Sequence, residues 1–182
     1  ANREQLKRAV YGSWRSLIAA RVRHWLNANS RSGSKRNIMA HYDLGNDFYK
    51  LWLDPSMSYS SAVYRDADDG SLEAAQHAKY RRILNCLNAA PGQNVLEIGC
   101  GWGGFAEMAV QDGLRTTGLT LSPAQLEWAQ KRVPAADLRL QDYRDLNEQF
   151  DHVVSIEMFE AVGERWWPTY FKTLAKALKT EG

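Results

Sequence analysis

Two carboxylates three residues apart, Glu157 and Glu160, follow the run at 150–156, at the tip of a strand where parallel sheets bind ligands. The same pair would also suit the solvated end of a helical turn. A second constellation lies at 95–104. Val95-Leu96-Glu97-Ile98 is a short apolar run carrying one acid, and Gly99, Gly101, Gly103 and Gly104 follow it directly. Glycines there let a ligand lie against the main chain. The spacing satisfies G-x-G-x-x-G, which admits a nicotinamide dinucleotide, and it is also compatible with a tight turn that binds nothing. Three smaller groups add polar chemistry: Tyr59, Ser60 and Ser61 in a hydroxyl-dense loop at 57–64, Thr120 with Gln125, and Asp142 beside Tyr143.

Positioning these residues takes alternating strands and helices. The run at 95–98 reads as a buried strand. Phe105, Ala106, Met108 and Ala109 start an amphipathic helix behind the glycines, at the helix terminus best suited to a ligand. Further strands are predicted at 115–119, 138–144 (with the loop after it) and 150–156. Helices are predicted at 71–89, 123–132 and 164–180. Ser71 is the predicted cap of the first of these, with Leu72, Ala75, Ala78, Ile83, Leu84 and Leu87 facing inward and Glu73 and Lys79 outside. Ser122 or Thr120 is the predicted cap of the second, where Pro123 suits the first turn. In the third, Trp166 and Trp167 are read as core in preference to an acyl-chain contact. Asn46 is predicted to cap a short helix running to Leu53.

The composition bounds the rest. The chain has 182 residues, 45% of them hydrophobic, which suits one domain with an extension. Its charged, interrupted N-terminal stretch predicts no signal peptide, and no apolar run is long enough for a transmembrane helix. Cys86 and Cys100 fit a reducing compartment, neither has metal-ligand spacing to a partner, and no metal site is expected. The net charge of +2 hides an asymmetry. Residues 1–40 carry nine Lys or Arg against one acid, Glu4, a net of +8. The other 142 residues carry 14 bases and 20 acids, a net of −6. Residues 3–28 read as a basic amphipathic helix, with Leu6, Val10, Trp14, Leu17, Ile18, Val22, Trp25 and Leu26 on one stripe. Binding to an anionic membrane surface and packing on the chain's own domain stand side by side as readings of that helix. Nucleic-acid binding is disfavoured, because no motif for it accompanies the charge. Residues 29–37 read as a hinge.

The strand ending in Glu97 and followed by G-C-G-W-G resembles the first motif of class I S-adenosylmethionine (SAM) methyltransferases. Five separated segments extend the likeness: H-Y-D-L-G-N-D-F-Y from His41, L-D-P-x-M-x-Y-S from Leu53, V-L-E-I-G-C-G-W-G-G from Val95, G-L-T-L-S-x-x-Q from Gly118 and S-I-E-M-F-E-A-V-G from Ser155. In this order they resemble the cyclopropane fatty acid synthase family, which includes the mycolic acid cyclopropane synthases.

The resemblance implies an α/β, Rossmann-like, three-layer fold with a mostly parallel sheet, of which about four of seven strands are visible. Residues 1–40 would form an arm and linker, and residues 41–182 the methyltransferase domain. The chain stops where a fifth strand is expected, so it is read as part of a longer protein with an open sheet edge. The implied cofactor is SAM, held by Tyr59, Ser60, Glu97, Gly99, Gly101, Trp102, Gly103, Thr120, Gln125, Asp142 and Tyr143. The implied reaction puts a methyl or methylene on a cis double bond of an unsaturated phospholipid acyl chain. Bicarbonate would be the base, held by Glu160 and the loop at Ser60 and Ser61. The sequence departs from the family at Ser61, where cysteine is common, and at Ala161, where histidine is frequent. The alternatives are a SAM methyltransferase of another lipid or small molecule without ring closure, or a non-catalytic SAM-binding or membrane-binding fragment. The implied setting is cytoplasmic, peripheral to the inner face of the membrane, with a homo-oligomer possible.

Overall fold

The computed structural model describes Gly33, residues 44–64 and residues 70–180. The expected helix at 3–28, the hinge at 29–37 (Gly33 apart) and the His41 end of the first shared segment lie outside the described residues.

Four parallel strands form the centre: β1 (Asn94–Ile98), β2 (Arg115–Thr120), β3 (Asp137–Leu140) and β4 (His152–Val154), in the order β3-β2-β1-β4. Parallel neighbours need crossovers, and helices supply them. After α1 (Gly45–Tyr49), α2 (Leu72–Leu87) leads into β1. Then α3 (Gly104–Gln111) joins β1 to β2, α4 (Pro123–Arg132) joins β2 to β3, and α5 (Trp167–Ala177) follows β4. The reversal of strand order falls at β1, between β2 and β4. In open α/β sheets, ligands sit beyond the carboxyl ends of the strands at that point.

The period of two along β1 divides the core. Val95 faces a cluster with Tyr80 and Leu84 of α2 and Phe105 and Ala109 of α3. Leu96 and Ile98 face the opposite cluster, with Leu119, Phe150 and Ala177. A third cluster ties α3 and α4 to β3 through Ala106, Ala129 and Leu138. The result is three layers, with α2, α3 and α4 on one face and α5 on the other. Burial of Leu96, Leu119 and Phe105, each nearly inaccessible, contributes about 1.5–3 kcal/mol per side chain. Glu97 has the parity of Val95, so its carboxylate is directed into the α2 layer rather than to solvent.

Two caps form as the sequence predicts. Ser71 accepts from the Ala74 amide, and Ser122 accepts from the Gln125 amide. Other expectations are corrected. Helix α1 ends at Tyr49, and Asn46 lies inside it without capping it; its side chain instead binds Ala124 O and Trp102 Nε1. Leu72 is exposed and Lys79 is buried, the reverse of the expected facing. The β4 pairing covers only three residues, because 155–163 turns away into a 3-10 helix at Phe159–Ala161. The last predicted helix is preceded by a 3-10 turn at Glu164–Trp166. Trp167 and Phe171 are exposed, their rings tilted against Phe159 rather than sunk in the core. Phe150 bridges in parallel to Leu178, so pairing of a further segment beside β4 has begun there.

Candidate functional site

A cleft of about 980 Å³ opens at the carboxyl ends of β1, β2 and β4. That is at the upper end of small-molecule sites. Its floor is the glycine turn. Gly101 has φ +53°, and a β-carbon there would meet nothing within 4 Å, because the space it would enter is the cleft. Gly99 has φ +85°, and a β-carbon would come 2.9 Å from Met158 Cγ. The two residues therefore answer to different constraints, ligand approach and packing. Gly103 begins α3 and lies against Ala129, outside the cleft wall. Trp102 lines the cleft while its indole N–H donates to Asn46 Oδ1 at 2.8 Å and its ring packs on Tyr49. Asn46 was not legible as a site residue, because both of its partners lie more than fifty positions away in sequence.

Glu97 enters the same wall, buried, and Oε2 has no hydrogen-bond partner in the structure. Burial pushes its pKa up to about 8, an effect the Lys79 ammonium opposes. Lys79 is itself lowered by burial, against the attraction of Glu157, Asp54 and Glu97. Its ammonium donates to Gln76 Oε1 at 2.6 Å and to Ser60 Oγ, while Gln76 Nε2 donates to Ser60 O at 2.8 Å. The one available signal was that Lys79 stands four residues from both Ala75 and Ile83, on the apolar stripe of α2.

This network fixes the hydroxyl-dense loop. Asp54 accepts from the Ser56 amide at 2.9 Å, and the Ser58 and Tyr80 hydroxyls lie 2.6 Å apart. Tyr59 and Ser60 line the cleft, and Tyr59 is half exposed at its mouth. Ser61 does not line it. Its amide donates to Glu157 Oε1 at 2.9 Å.

Beyond β2, Thr120 Oγ1 donates to Gln125 Oε1 at 2.9 Å, and both are buried in the cleft wall. No carboxylate ends this strand. Asp142 is also in the wall, but its carboxylate is bound to Arg144, with Nε at 2.8 Å and Nη2 at 2.5 Å. Tyr143 stands beside it, its hydroxyl raised by burial, its ring against Tyr170. Glu160 is exposed and reaches the same cleft from the 3-10 turn. Eleven of the thirteen residues singled out from sequence thus meet in one wall; Ser61 and Gly103 stand just behind it. Among the described residues, no group of His, Cys, Asp and Glu is placed to hold a metal, and no helix is long and apolar enough to cross a membrane.

Residues 29–182 match the family described as mycolic acid cyclopropane synthetase. The chain is 50% identical over 145 residues to the cyclopropane-fatty-acyl-phospholipid synthase of Escherichia coli, covering 78% of this chain and 37% of the relative. It is 38% identical over 188 residues to the tuberculostearic acid methyltransferase UfaA1 of Mycobacterium tuberculosis, covering 91% of this chain and 44% of that one. The crystal structure of mycolic acid cyclopropane synthase CmaA1 complexed with SAH and CTAB superposes with a TM-score of 0.75 at 35% identity, over 80% of this chain and 53% of that one. The chain therefore spans about half or less of the length of these relatives.

Proposed function

The chain belongs to the mycolic acid cyclopropane synthetase family, and on that premise we propose that it is the cofactor-binding part of a SAM-dependent enzyme acting on a cis double bond in a phospholipid acyl chain. The reaction adds one methylene and closes a cyclopropane ring. The observation that carries this reading is the unpartnered Glu97 Oε2 beside the open face of Gly101, in one cleft with a largely apolar wall. A buried acid lacking a partner fits a ligand that brings a cationic amino group, as SAM does. The relative crystallised with SAH and CTAB, an alkyl surfactant, supports a cleft for both a cofactor and a chain.

On this reading, Glu97 receives the amino end of the cofactor, and Gly99 and Gly101 let it lie close to β1. Thr120 and Gln125 offer hydroxyl and amide groups to its ribose, and Asp142 and Tyr143 flank its base. When bound, SAM supplies a sulfonium methyl electrophilic enough for an alkene to attack. Tyr59, Trp52 and Leu53 form the apolar side of the cleft, where an acyl chain would be aligned away from water. Glu160 and Glu157 stand at the tip of β4, facing the same space. Bicarbonate fits the residues less well, because the Ser61 amide is engaged and Ala161 offers no donor side chain. We assign the protein to the inner face of the cytoplasmic membrane, peripherally bound.

Calorimetry with SAM on wild type and Gly101→Val tests the cofactor site. Valine would stand in the cleft at a backbone angle that β-branched residues resist, so affinity should fall by about 30-fold or more, roughly 2 kcal/mol. Equal affinity would remove the glycine turn from the site. Incubation with unsaturated phospholipid vesicles, read by mass spectrometry for a gain of one methylene, tests the reaction.

A further inference from the structure

The ring closure proposed above needs a base, and the structure places a carboxylate at the tip of β4 in an unusual hold. Glu157 has φ +49°, one of three non-glycine residues with positive φ among the described residues. Such a conformation persists only where the surroundings impose it. Its Oε1 accepts from the Ser61 amide, 96 positions away, at 2.9 Å. Its other oxygen takes no hydrogen bond among the described residues. Glu157 lines the same cleft as Gly99, Gly101 and Glu160, and it is open to solvent. The amide that would steady a small anion in the loop is thus already occupied by a carboxylate of the chain itself.

We propose that Glu157 is the proton acceptor of the reaction, with the Ser61 amide holding it in place, so that this protein needs no exogenous bicarbonate. The proposal rests on the alkene reaction proposed above. In that reaction the alkene π pair forms a bond to the sulfonium methyl, and the S–C pair remains on sulfur. A carbocation is left beside the new methyl group. The Glu157 carboxylate takes one proton from that methyl, and the freed C–H pair forms the second C–C bond, closing the ring. The proton leaves through the exposed side of Glu157 to water. A hydrogen next to a carbocation is so acidic that position matters more than base strength, and a carboxylate suffices. Glu160 lies three residues on, but the Ser61 amide binds Glu157 and not Glu160.

The test uses the full-length protein that contains this chain, with SAM and unsaturated phospholipid vesicles, in buffer stripped of bicarbonate and again with bicarbonate or formate added. S-adenosylhomocysteine release and the lipid product are read separately. Glu157→Gln keeps a carbonyl oxygen for the Ser61 amide but removes the base. It should hold SAM within about threefold of wild type yet lose ring product by about 100-fold or more. The stranded cation would instead give a branched alkene or, with water, a hydroxylated chain. Glu157→Gly frees the Ser61 amide and should be rescued by bicarbonate or formate. Wild-type ring yield should change by less than about twofold on bicarbonate addition. Wild-type dependence on bicarbonate, or undiminished ring yield in Glu157→Gln, would overturn the base assignment alone. Absence of S-adenosylhomocysteine release by wild type with any unsaturated lipid would overturn the reaction and the base together.

Discussion

Glu97 shows how a single side chain can set a property of the whole fold. The folded chain holds this acid at about 8, against an ordinary value of 4.5. Between those values the unfolded chain has lost a proton that the folded chain keeps. Folding therefore takes up a proton, and stability falls as pH rises from about 5 to 8, then levels. The change is on the order of 3–5 kcal/mol at most. Lys79, lowered by burial, acts on the alkaline side with the opposite sign. Urea melts at several pH values should show this slope in wild type and a flatter one in Glu97→Gln. An equal slope in both would mean that Glu97 is ionised throughout. A ligand ammonium should displace the proton, so SAM affinity should rise over the same interval. The position of Glu97 on a buried strand was legible in the sequence. The buried Lys79 ammonium whose charge acts on it was not, because a lysine on an exposed and on a buried helical stripe differ only in what packs over them.

At the scale of elements, local rules read well and tertiary ones did not. The β1 run, the glycine turn, the Ser71 and Ser122 caps and Pro123 at the first turn of α4 are set by a few neighbouring residues, and all are present. Helix α1 ended early, and 155–163 left the sheet, because their partners are remote. Asn46 had the residue type of a cap but joins α1 to the glycine turn and to α4. Asn46→Ala would leave the indole N–H of buried Trp102 without its acceptor, which costs about 1–3 kcal/mol. Thermal unfolding should register that loss, and SAM affinity should fall with it if Trp102 then shifts. Ser122→Ala, which removes a cap, should cost about 1 kcal/mol. An Asn46 variant no less stable than wild type would reduce the contact to a surface accident.

At the scale of the whole molecule, the sheet and the charge distribution bear on the same surface question. The described strands bring the cleft, the glycine turn and the loop at 57–61 to one edge, the edge at which α1 also lies. Leu44, Phe48, Leu51 and Trp52 are exposed around α1, next to the cleft mouth. The net charge of +8 on residues 1–40 precedes this apolar rim directly in sequence. The lipid substrate proposed above would reach the cleft from a bilayer, and basic residues near an anionic surface contribute about 1 kcal/mol each. The full chain should therefore pellet with anionic vesicles at low salt and release at about 1 M salt, where the screening length is about 3 Å. Replacing Arg3, Lys7, Arg8, Arg15, Arg21 and Arg23 with Gln should abolish pelleting at low salt while leaving SAM affinity unchanged. Pelleting that survives both high salt and the six replacements would move the attachment to the apolar rim. Failure of wild type to pellet at low salt would mean that the basic arm serves the protein's own packing instead.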